Sequence, residues 1–116
     1  MEKIKEYCFD RLIFEGEYLR GKRNGKGKEY SFGRLQFEGY YLNGIEHGKG
    51  IYYSYKGLIH YEGDYLYGKQ TGKGKFYNYD NNKLEYNGEY LYNKKWNGKG
   101  YNENLNIIYE LINPFS

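Results

Sequence analysis

The sequence predicts an all-β protein, an elongated single-layer twisted antiparallel meander of repeated β-hairpins. One observation is a tyrosine-framed segment that recurs four times, as YLRGKRNGKGKEY, YLNGIEHGKGIYY, YLYGKQTGKGKFY and YLYNKKWNGKGYNE. The other is the alternation of aromatic and polar residues within each copy, which has the two-residue period of a strand with unlike faces. Helical spacing fits none of the copies. Repeats of roughly 20 to 50 residues are typical of arrays of small structural units.

Glycines set the length and bounds of the repeat. Equivalent glycines lie 23, 24 and 25 residues apart, namely Gly16, Gly39, Gly63 and Gly88. We therefore divide the single domain, residues 1–116, into a half-repeat (1–11), four repeats (12–34, 35–58, 59–83 and 84–103) and a C-terminal cap (104–116). The half-repeat follows from KEYCFDRL at 5–12, which matches KEYSFGRL at 28–35.

The first strand of each repeat has one apolar face and one polar face. In the first full repeat Leu12, Phe14, Gly16 and Tyr18 fall on one side, and Glu15 falls on the other. The later repeats carry equivalent sets, with Leu35, Ile59 and Leu84 in the place of Leu12. Such alternation predicts strands with one aromatic face and one largely wet face.

The second strand of each repeat follows a hairpin connection. Segments 20–24 and 43–47 have the length and the glycine content of such connections. Beyond them, we place Tyr53 and Tyr77 on the same aromatic face as the first strands. About ten strands, about 4.8 Å apart, give an array roughly 45 Å long.

A glycine stands in the middle of each first strand, where it would ordinarily weaken the strand. We expect aromatic rings on the same face to lie over this vacant position and cover the backbone. The sheet has no second layer, so its stability is expected from cross-strand aromatic contacts. The structural glycines are Gly16, Gly39, Gly63 and Gly88.

The C-terminal segment NLNIIYELINPFS has two interpretations. IIYELI resembles the first half of a repeat, with Tyr109 in the place of Tyr86. Leu105, Ile108 and Ile112 also suit a short helix over the end of the sheet. In either case Pro114 limits further strand pairing at that edge.

Charge and composition exclude several classes of protein. The net charge of +3 comes from 18 basic and 15 acidic side chains spread along the chain, which describes a solvated surface more than a basic patch. The one cysteine, Cys8, has no internal disulfide partner. No stretch approaches the roughly 20 apolar residues of a membrane span. We expect a cytoplasmic protein, with a peripheral position at a membrane or the cytoskeleton as a further option.

The candidate chemical motifs are incomplete, so no enzyme and no cofactor are expected. GIEHGKG has three residues between Gly44 and Gly48, whereas a phosphate-binding P-loop needs four and a following Ser or Thr. His47, in a predicted turn, and His60, on the predicted polar face, make a poor zinc set with Cys8. Repeated acids at 15, 38 and 62 are expected to pair across strands with lysines at 26, 28, 49 and 73.

The segment YEGDYLYGKQTGKGKFY resembles the MORN (membrane occupation and recognition nexus) repeat in its Tyr-x-Gly, its glycine turn and its Gly-x-Gly followed by an aromatic residue. The likeness extends over residues 5–112, and bacterial arrays with a 23-residue NGK…DG period are similar as well. It departs at Asn93 and at an insertion around Trp96 and Asn97. The resemblance implies an elongated β-meander that binds proteins and, in some members, acidic lipids, with no catalysis by the repeats.

The function we expect is that of a non-enzymatic scaffold or adaptor, with a partner helix or a second copy of the chain lying along the aromatic face. Aromatic side chains suit an interface because they give large, rigid contact area. The alternative for the same residues is that they form the core. The predicted partner-binding residues are Phe14, Tyr18, Phe37, Tyr41, Tyr53, Tyr61, Tyr65, Tyr77, Tyr86 and Tyr90.

Two other binding functions have weaker support. A membrane-surface module would use lysines against anionic lipids: Lys22, Lys26, Lys28, Lys49, Lys69, Lys73, Lys75, Lys94, Lys95 and Lys99. Single-stranded nucleic acid stacks on aromatic rings beside basic side chains. Acidic residues interleaved with the lysines disfavour both, and no specific nucleic acid is expected.

Overall fold

The computed structural model describes residues 1–113, and across them ten strands form one antiparallel sheet in chain order. The strands are β1 (Glu2–Cys8), β2 (Arg11–Leu19), β3 (Lys22–Ser31), β4 (Arg34–Leu42), β5 (Ile45–Tyr53), β6 (Ile59–Leu66), β7 (Lys69–Tyr77), β8 (Leu84–Leu91), β9 (Lys94–Tyr101) and β10 (Ile107–Leu111). These residues contain no helix. The molecule measures 45 × 32 × 18 Å, so the predicted single-layer meander is confirmed.

The C-terminal segment forms a strand and not a helix within the described residues. β10 pairs with β9, and Tyr109 lies opposite Gly100. Strand formation follows from the β-branched and aromatic residues of this stretch, which favour an extended backbone. The predicted effect of Pro114 on edge pairing concerns a residue outside the described part of the chain.

Two-residue turns close six of the hairpins, which is tighter than the five-residue connections that we predicted. Both turn residues have positive φ, as in Asn43 (φ 50°) and Gly44 (φ 91°). That is the type I′ geometry, whose twist matches the right-handed twist of the flanking strands. His47 therefore lies in β5, beyond the turn.

Bulges shift the alternation of side chains at the start of the even-numbered strands. Tyr30 lies opposite Leu35, but Glu29 lies opposite Phe37, so Gln36 is one extra residue on β4. Directly paired residues share a face, so Leu35 lies on the face opposite Phe37. The prediction that Leu12, Leu35, Ile59 and Leu84 join the aromatic face is therefore wrong, because the same bulge recurs in β2, β6 and β8.

Candidate interaction surfaces

A floor of paired glycines allows rings to pack flat on the sheet. Gly39 lies directly opposite Gly50. A Cβ at Gly39 would lie 2.5 Å from the carbonyl oxygen of Lys49 and 3.0 Å from the ring of Phe37. Phe37 thus occupies the space of the missing side chains, which gives the mid-strand glycines the packing role expected from the sequence.

The rings over this floor form a continuous zigzag along the array. The ring of Phe37 meets Tyr41 at 5.8 Å between centroids and Tyr65 of the next repeat at 5.3 Å, both nearly perpendicular. Edge-to-face contacts of this kind add about 0.5–1.5 kcal/mol beyond area burial. Each repeat therefore holds the next through an aromatic contact.

Seven of the predicted partner-binding residues are buried in this zigzag, at 9% exposure or less: Phe14, Phe37, Tyr41, Tyr61, Tyr65, Tyr86 and Tyr90. Tyr18 is partly buried against them. Their rings form the core of the protein, and a cavity of about 420 Å³ opens on the same face beside Phe37, Tyr61 and Tyr65. Their burial accounts for these residues as packing residues.

Tyr53 and Tyr77 lie on the opposite face, contrary to the prediction. The Tyr53 hydroxyl donates to Glu38, and the Tyr77 hydroxyl donates to Glu62 at 2.6 Å. The residues that share the aromatic face are Tyr52 and Phe76, which pack against the core. Counting two residues on from the floor glycine Gly50 reaches Tyr52, so the sequence did contain this signal.

Burial and hydrogen bonds to carboxylates raise the pKa values of Tyr53 and Tyr77. Burial, and then the hydrogen bond to Glu38, raises the pKa of Tyr53 to about 12. Burial, and then Glu62, raises the pKa of Tyr77 to about 12. These hydroxyls stay protonated at neutral pH and act as hydrogen-bond donors, with no role as bases.

The N-terminal end of the aromatic zigzag is closed by a polar network. The Arg23 guanidinium lies 4.1 Å from the centroid of the Phe14 ring and donates to Glu6 and Glu29, each at 2.9 Å. Tyr18 also donates to Glu6. The hydrogen bond from Arg23 lowers the pKa of the Glu6 carboxyl. Charge-assisted bonds of this kind stabilise the end of the array.

The polar face carries lysines and acids that alternate from strand to strand. Lys28 lies opposite both Glu15 and Glu38, and Glu62 lies opposite Lys75. Glu15 forms an ion pair with Lys5 at 3.7 Å. A groove of about 840 Å³ runs over the first four strands between these side chains. Glu15 and Glu38 are thus in register with Lys28, and the carboxylates of Glu38 and Glu62 accept from tyrosine hydroxyls.

Two acids of the polar face complete the backbone at the bulges, a role that the sequence did not indicate. Gly72 has φ 113°, and the next N–H, that of Lys73, donates to the Asp64 carboxylate at 3.1 Å. In the first repeat the Lys26 N–H donates to Glu17 at 2.7 Å. A carboxylate directly after the mid-strand glycine, as in Gly63-Asp64, is the signal that the sequence carries.

The rim at which one repeat connects to the next carries an exposed aromatic residue in four of its five connections within residues 1–113. We call this surface the connection rim and define it by Phe9, Phe32, Tyr55 and Tyr79. Phe9 is 97% exposed and Phe32 is 86% exposed, and both have positive φ, 48° and 51°. Tyr55 and Tyr79 have ring centroids 5.1 Å apart.

A depression of about 340 Å³ opens at the centre of the connection rim. Its lining includes Phe32, Leu35, Tyr53 and Tyr55 together with Ser54. Ser54 is 5% exposed, and its Oγ has no hydrogen-bond partner within residues 1–113. A depression lined largely by aromatic rings is suited to an apolar side chain of a peptide segment.

The histidines and Cys8 lie apart from one another. His60 occupies the bulge of β6 and packs on the ring of Phe76 at 4.6 Å, so it lies on the aromatic face and not on the polar face. His47 packs on Tyr67 at 4.7 Å. Within residues 1–113 no three His, Cys, Asp or Glu side chains cluster as metal ligands, and no long apolar helix capable of crossing a bilayer is found.

Comparison with known proteins gives a family match over the centre of the array. A family model described as "MORN repeat" matches three consecutive segments, residues 14–32, 37–59 and 61–83. Together these segments hold 65 of the 116 residues, which is more than half of the chain. The comparison with curated proteins found no match.

Proposed function

The chain belongs to the MORN repeat family, and on that premise we propose that it is a non-enzymatic scaffold that binds another protein through the connection rim. MORN repeats are in general modules for interaction with proteins or membranes, and they are not enzymes. The observation that carries the proposal is the near-complete exposure of Phe9 and Phe32.

These phenylalanines stabilise the folded chain little. A left-handed backbone costs a bulky residue about 1–2 kcal/mol, and glycine or asparagine is the usual choice at this turn position. Burial of a ring would offset that cost, yet both rings lie in solvent. Two costly and exposed rings at equivalent places of successive repeats favour a role in binding.

The chemistry of the connection rim indicates a peptide with apolar anchors. The cations beside the rings are already engaged within the chain, because Arg34 donates to the Tyr55 carbonyl and Lys56 forms an ion pair with Asp80 at 3.3 Å. Aromatic and arginine side chains are the usual centres of binding energy in protein interfaces.

Binding to anionic lipids has less support. On the polar face, lysines stand next to acids, and Lys49 is already paired with Asp64 at 2.5 Å. A lipid surface needs a net positive patch, and alternating charges weaken the field of each lysine. A helix or second copy along the aromatic face has less support for a different reason, namely that seven of the ten residues predicted to contact it are buried.

The test compares exposed aromatic residues at the first position of two-residue turns on the connection rim with equivalent residues on the opposite rim of the sheet. Phe9→Ser with Phe32→Ser should weaken partner binding 10-fold or more, about 1.4 kcal/mol, with no loss of melting temperature. The matched control is Tyr67→Ser with Tyr92→Ser, at two-residue turns of the opposite rim, where the residues are 64% and 59% exposed. A photo-crosslinking residue at position 32 identifies the partner in cells, and calorimetry with the purified partner measures the affinity.

Two outcomes would contradict the proposal. Equal weakening by the rim pair and by the control pair would show that the connection rim has no special role. Loss of binding on Lys49→Ala with Lys73→Ala, together with steep weakening by salt, would favour lipids or another polyanion. Affinity of the rim complex should change little with salt.

A further inference from the structure

The two edges of the sheet are complementary halves of one repeat. Within residues 1–113, β1 and β10 each have one side with no neighbouring strand. The sequence of β1 corresponds to the second strand of a repeat, with Lys5 and Glu6 in the places of Lys28 and Glu29. β10 corresponds to a first strand, with Tyr109 in the place of Tyr86. Within the array, each repeat consists of a first strand paired with a second strand, so the two edge strands together have the composition of one repeat.

The charges of the polar face follow the same order. Every odd-numbered strand contributes lysines to this face and every even-numbered strand contributes acids, so neighbouring strands carry opposite charge. The lysines are Lys3 and Lys5 (β1), Lys26 and Lys28 (β3), Lys49 (β5), Lys73 and Lys75 (β7) and Lys99 (β9). The acids are Glu15 and Glu17 (β2), Glu38 (β4), Glu62 and Asp64 (β6), Glu89 (β8) and Glu110 (β10). The sheet thus has one lysine edge and one acidic edge.

We propose that two copies of this chain associate head to tail, with β10 of one copy pairing antiparallel with β1 of the next. The register is that of β2 with β3, in which Phe14, Glu15 and Gly16 lie opposite Glu29, Lys28 and Gly27. Transferred to the edges, this register places Tyr109, Glu110 and Leu111 opposite Glu6, Lys5 and Ile4 of the second copy. The proposal uses the edges of the sheet and is independent of the connection rim.

Charge complementarity favours the pairing of β10 with β1 over the other two ways in which the edges of two copies could pair. Head to tail, Glu110 lies opposite the second copy's Lys5, and the alternation of lysine and acidic strands continues across the junction. Pairing of β10 with β10 would bring acidic strands together, and pairing of β1 with β1 would bring lysine strands together. Lys5 and Glu110 retain 59% and 49% side-chain exposure, so each is free to face a second partner.

Apolar side chains of the two edges match in the same register. Leu111 and the second copy's Ile4 would replace the glycine pair of the inner junctions, so the two strands would lie farther apart at this point than Gly39 and Gly50 do, with the two half-buried side chains packed against each other. Next to them, Ile108 (60% exposed) would face the second copy's Tyr7 (59% exposed). The junction would therefore cover apolar surface that is exposed at both edges, in addition to pairing the free backbone groups of two edge strands.

The association is open-ended, because the two contacting surfaces differ. A heterologous contact that does not close into a ring produces chains of increasing length. Sedimentation velocity of the 116-residue protein over a concentration series should show a continuous rise in mean size, with no stop at the dimer.

Charge reversal tests the register directly. Glu110→Lys alone places lysine opposite lysine at the junction, and Lys5→Glu alone places acid opposite acid, so each variant should remain monomeric at concentrations where the wild type associates. Mixed one to one, the two variants should associate again, because each end of one variant then meets the opposite charge on the other. Glu103→Lys, an equal charge change in the connection before β10, is the control and should associate as the wild type does.

Circular dichroism must show the same strand spectrum for all variants, because each reversal also removes one exposed intramolecular ion pair, worth little to stability. A wild type that stays monomeric at every concentration overturns the proposal. So does a mixture of the two variants that stays monomeric, or a wild-type species that stops at the dimer and is unaffected by Lys5→Glu. The last result would point to pairing of β10 with β10.

Discussion

The aromatic face and the polar face are built from the same strands but differ in how deeply their side chains are buried. On the aromatic face Phe37 and Tyr61 are each 1% exposed, whereas the side chain of Lys49, on the strand between theirs, is 73% exposed on the polar face. The glycine floor explains the difference, because rings can lie on backbone only where Cβ atoms are missing. A single-layer sheet can thus bury a core when a continuous row of glycines on one face leaves room for aromatic rings.

The largest effect is expected from a side chain added to that floor. Gly39→Val should destabilise the protein by about 3 kcal/mol or more, because the new Cβ meets backbone atoms of β5 at 2.5 Å and 2.7 Å, which have little freedom to move. Urea unfolding measures the loss. The matched control is Tyr40→Val, one residue on and on the polar face, where Tyr40 is 41% exposed.

The control should cost less than about 1 kcal/mol, since valine is a good strand residue and the position is half-exposed. Similar losses at both positions would contradict the contrast between the faces. They would show that substitution of either face disturbs the sheet equally, and that the glycine floor has no special role.

A second, intermediate effect should appear at alkaline pH. Burial raises the pKa of Tyr65 on the aromatic face to about 12 from its ordinary value of 10. The folded state then holds the proton more tightly than the unfolded state, so this contribution is complete below pH 10 and is lost as pH rises to about 12. The loss is on the order of 2–3 kcal/mol for a group that is 9% exposed.

The measurement is the free energy of unfolding of the wild type and of Tyr65→Phe across this pH range. The wild type should lose stability more steeply, because phenylalanine has no proton to release. If the two curves run parallel, Tyr65 is ionised as easily in the folded chain as in the unfolded chain. Tyr53→Phe makes the same comparison for the polar face, where the pKa is also raised to about 12.

The sequence predicted the strand order well and the faces less well, for a physical reason. Repeat spacing and the two-residue period depend on local residue types, and both predicted the meander. Assignment of a residue to a face depends on every bulge before it, and the extra residue Gln36 reverses the assignment of Leu35. The recurrence of tyrosine at the position of Tyr53 in each repeat predicts the wrong face, whereas its odd spacing of three residues from Gly50 places it on the polar face.

The candidate site was harder to predict than the fold. Aromatic residues in alternation fit a core and a binding stripe equally well, and only burial separates the two. The sequence does not indicate the connection rim, because Phe9 and Phe32 stand at turn positions where glycine or asparagine is the usual residue. Their exposure and positive φ became evident only in the folded chain.

The smallest effect distinguishes two roles of an acid on the polar face. Asp64 forms an ion pair with Lys49 at 2.5 Å and accepts from the backbone N–H of Lys73 at 3.1 Å. Lys49→Ala should cost at most about 0.5 kcal/mol, since exposed ion pairs contribute little. Asp64→Ala should cost about 1 kcal/mol more, because the bulge N–H loses its acceptor. Asp64→Asn, which keeps an acceptor oxygen without the charge, should recover most of that difference in urea unfolding. Equal losses for Lys49→Ala and Asp64→Ala would assign the stabilisation to the ion pair and would remove the distinction between acids that complete the backbone and acids that only balance charge.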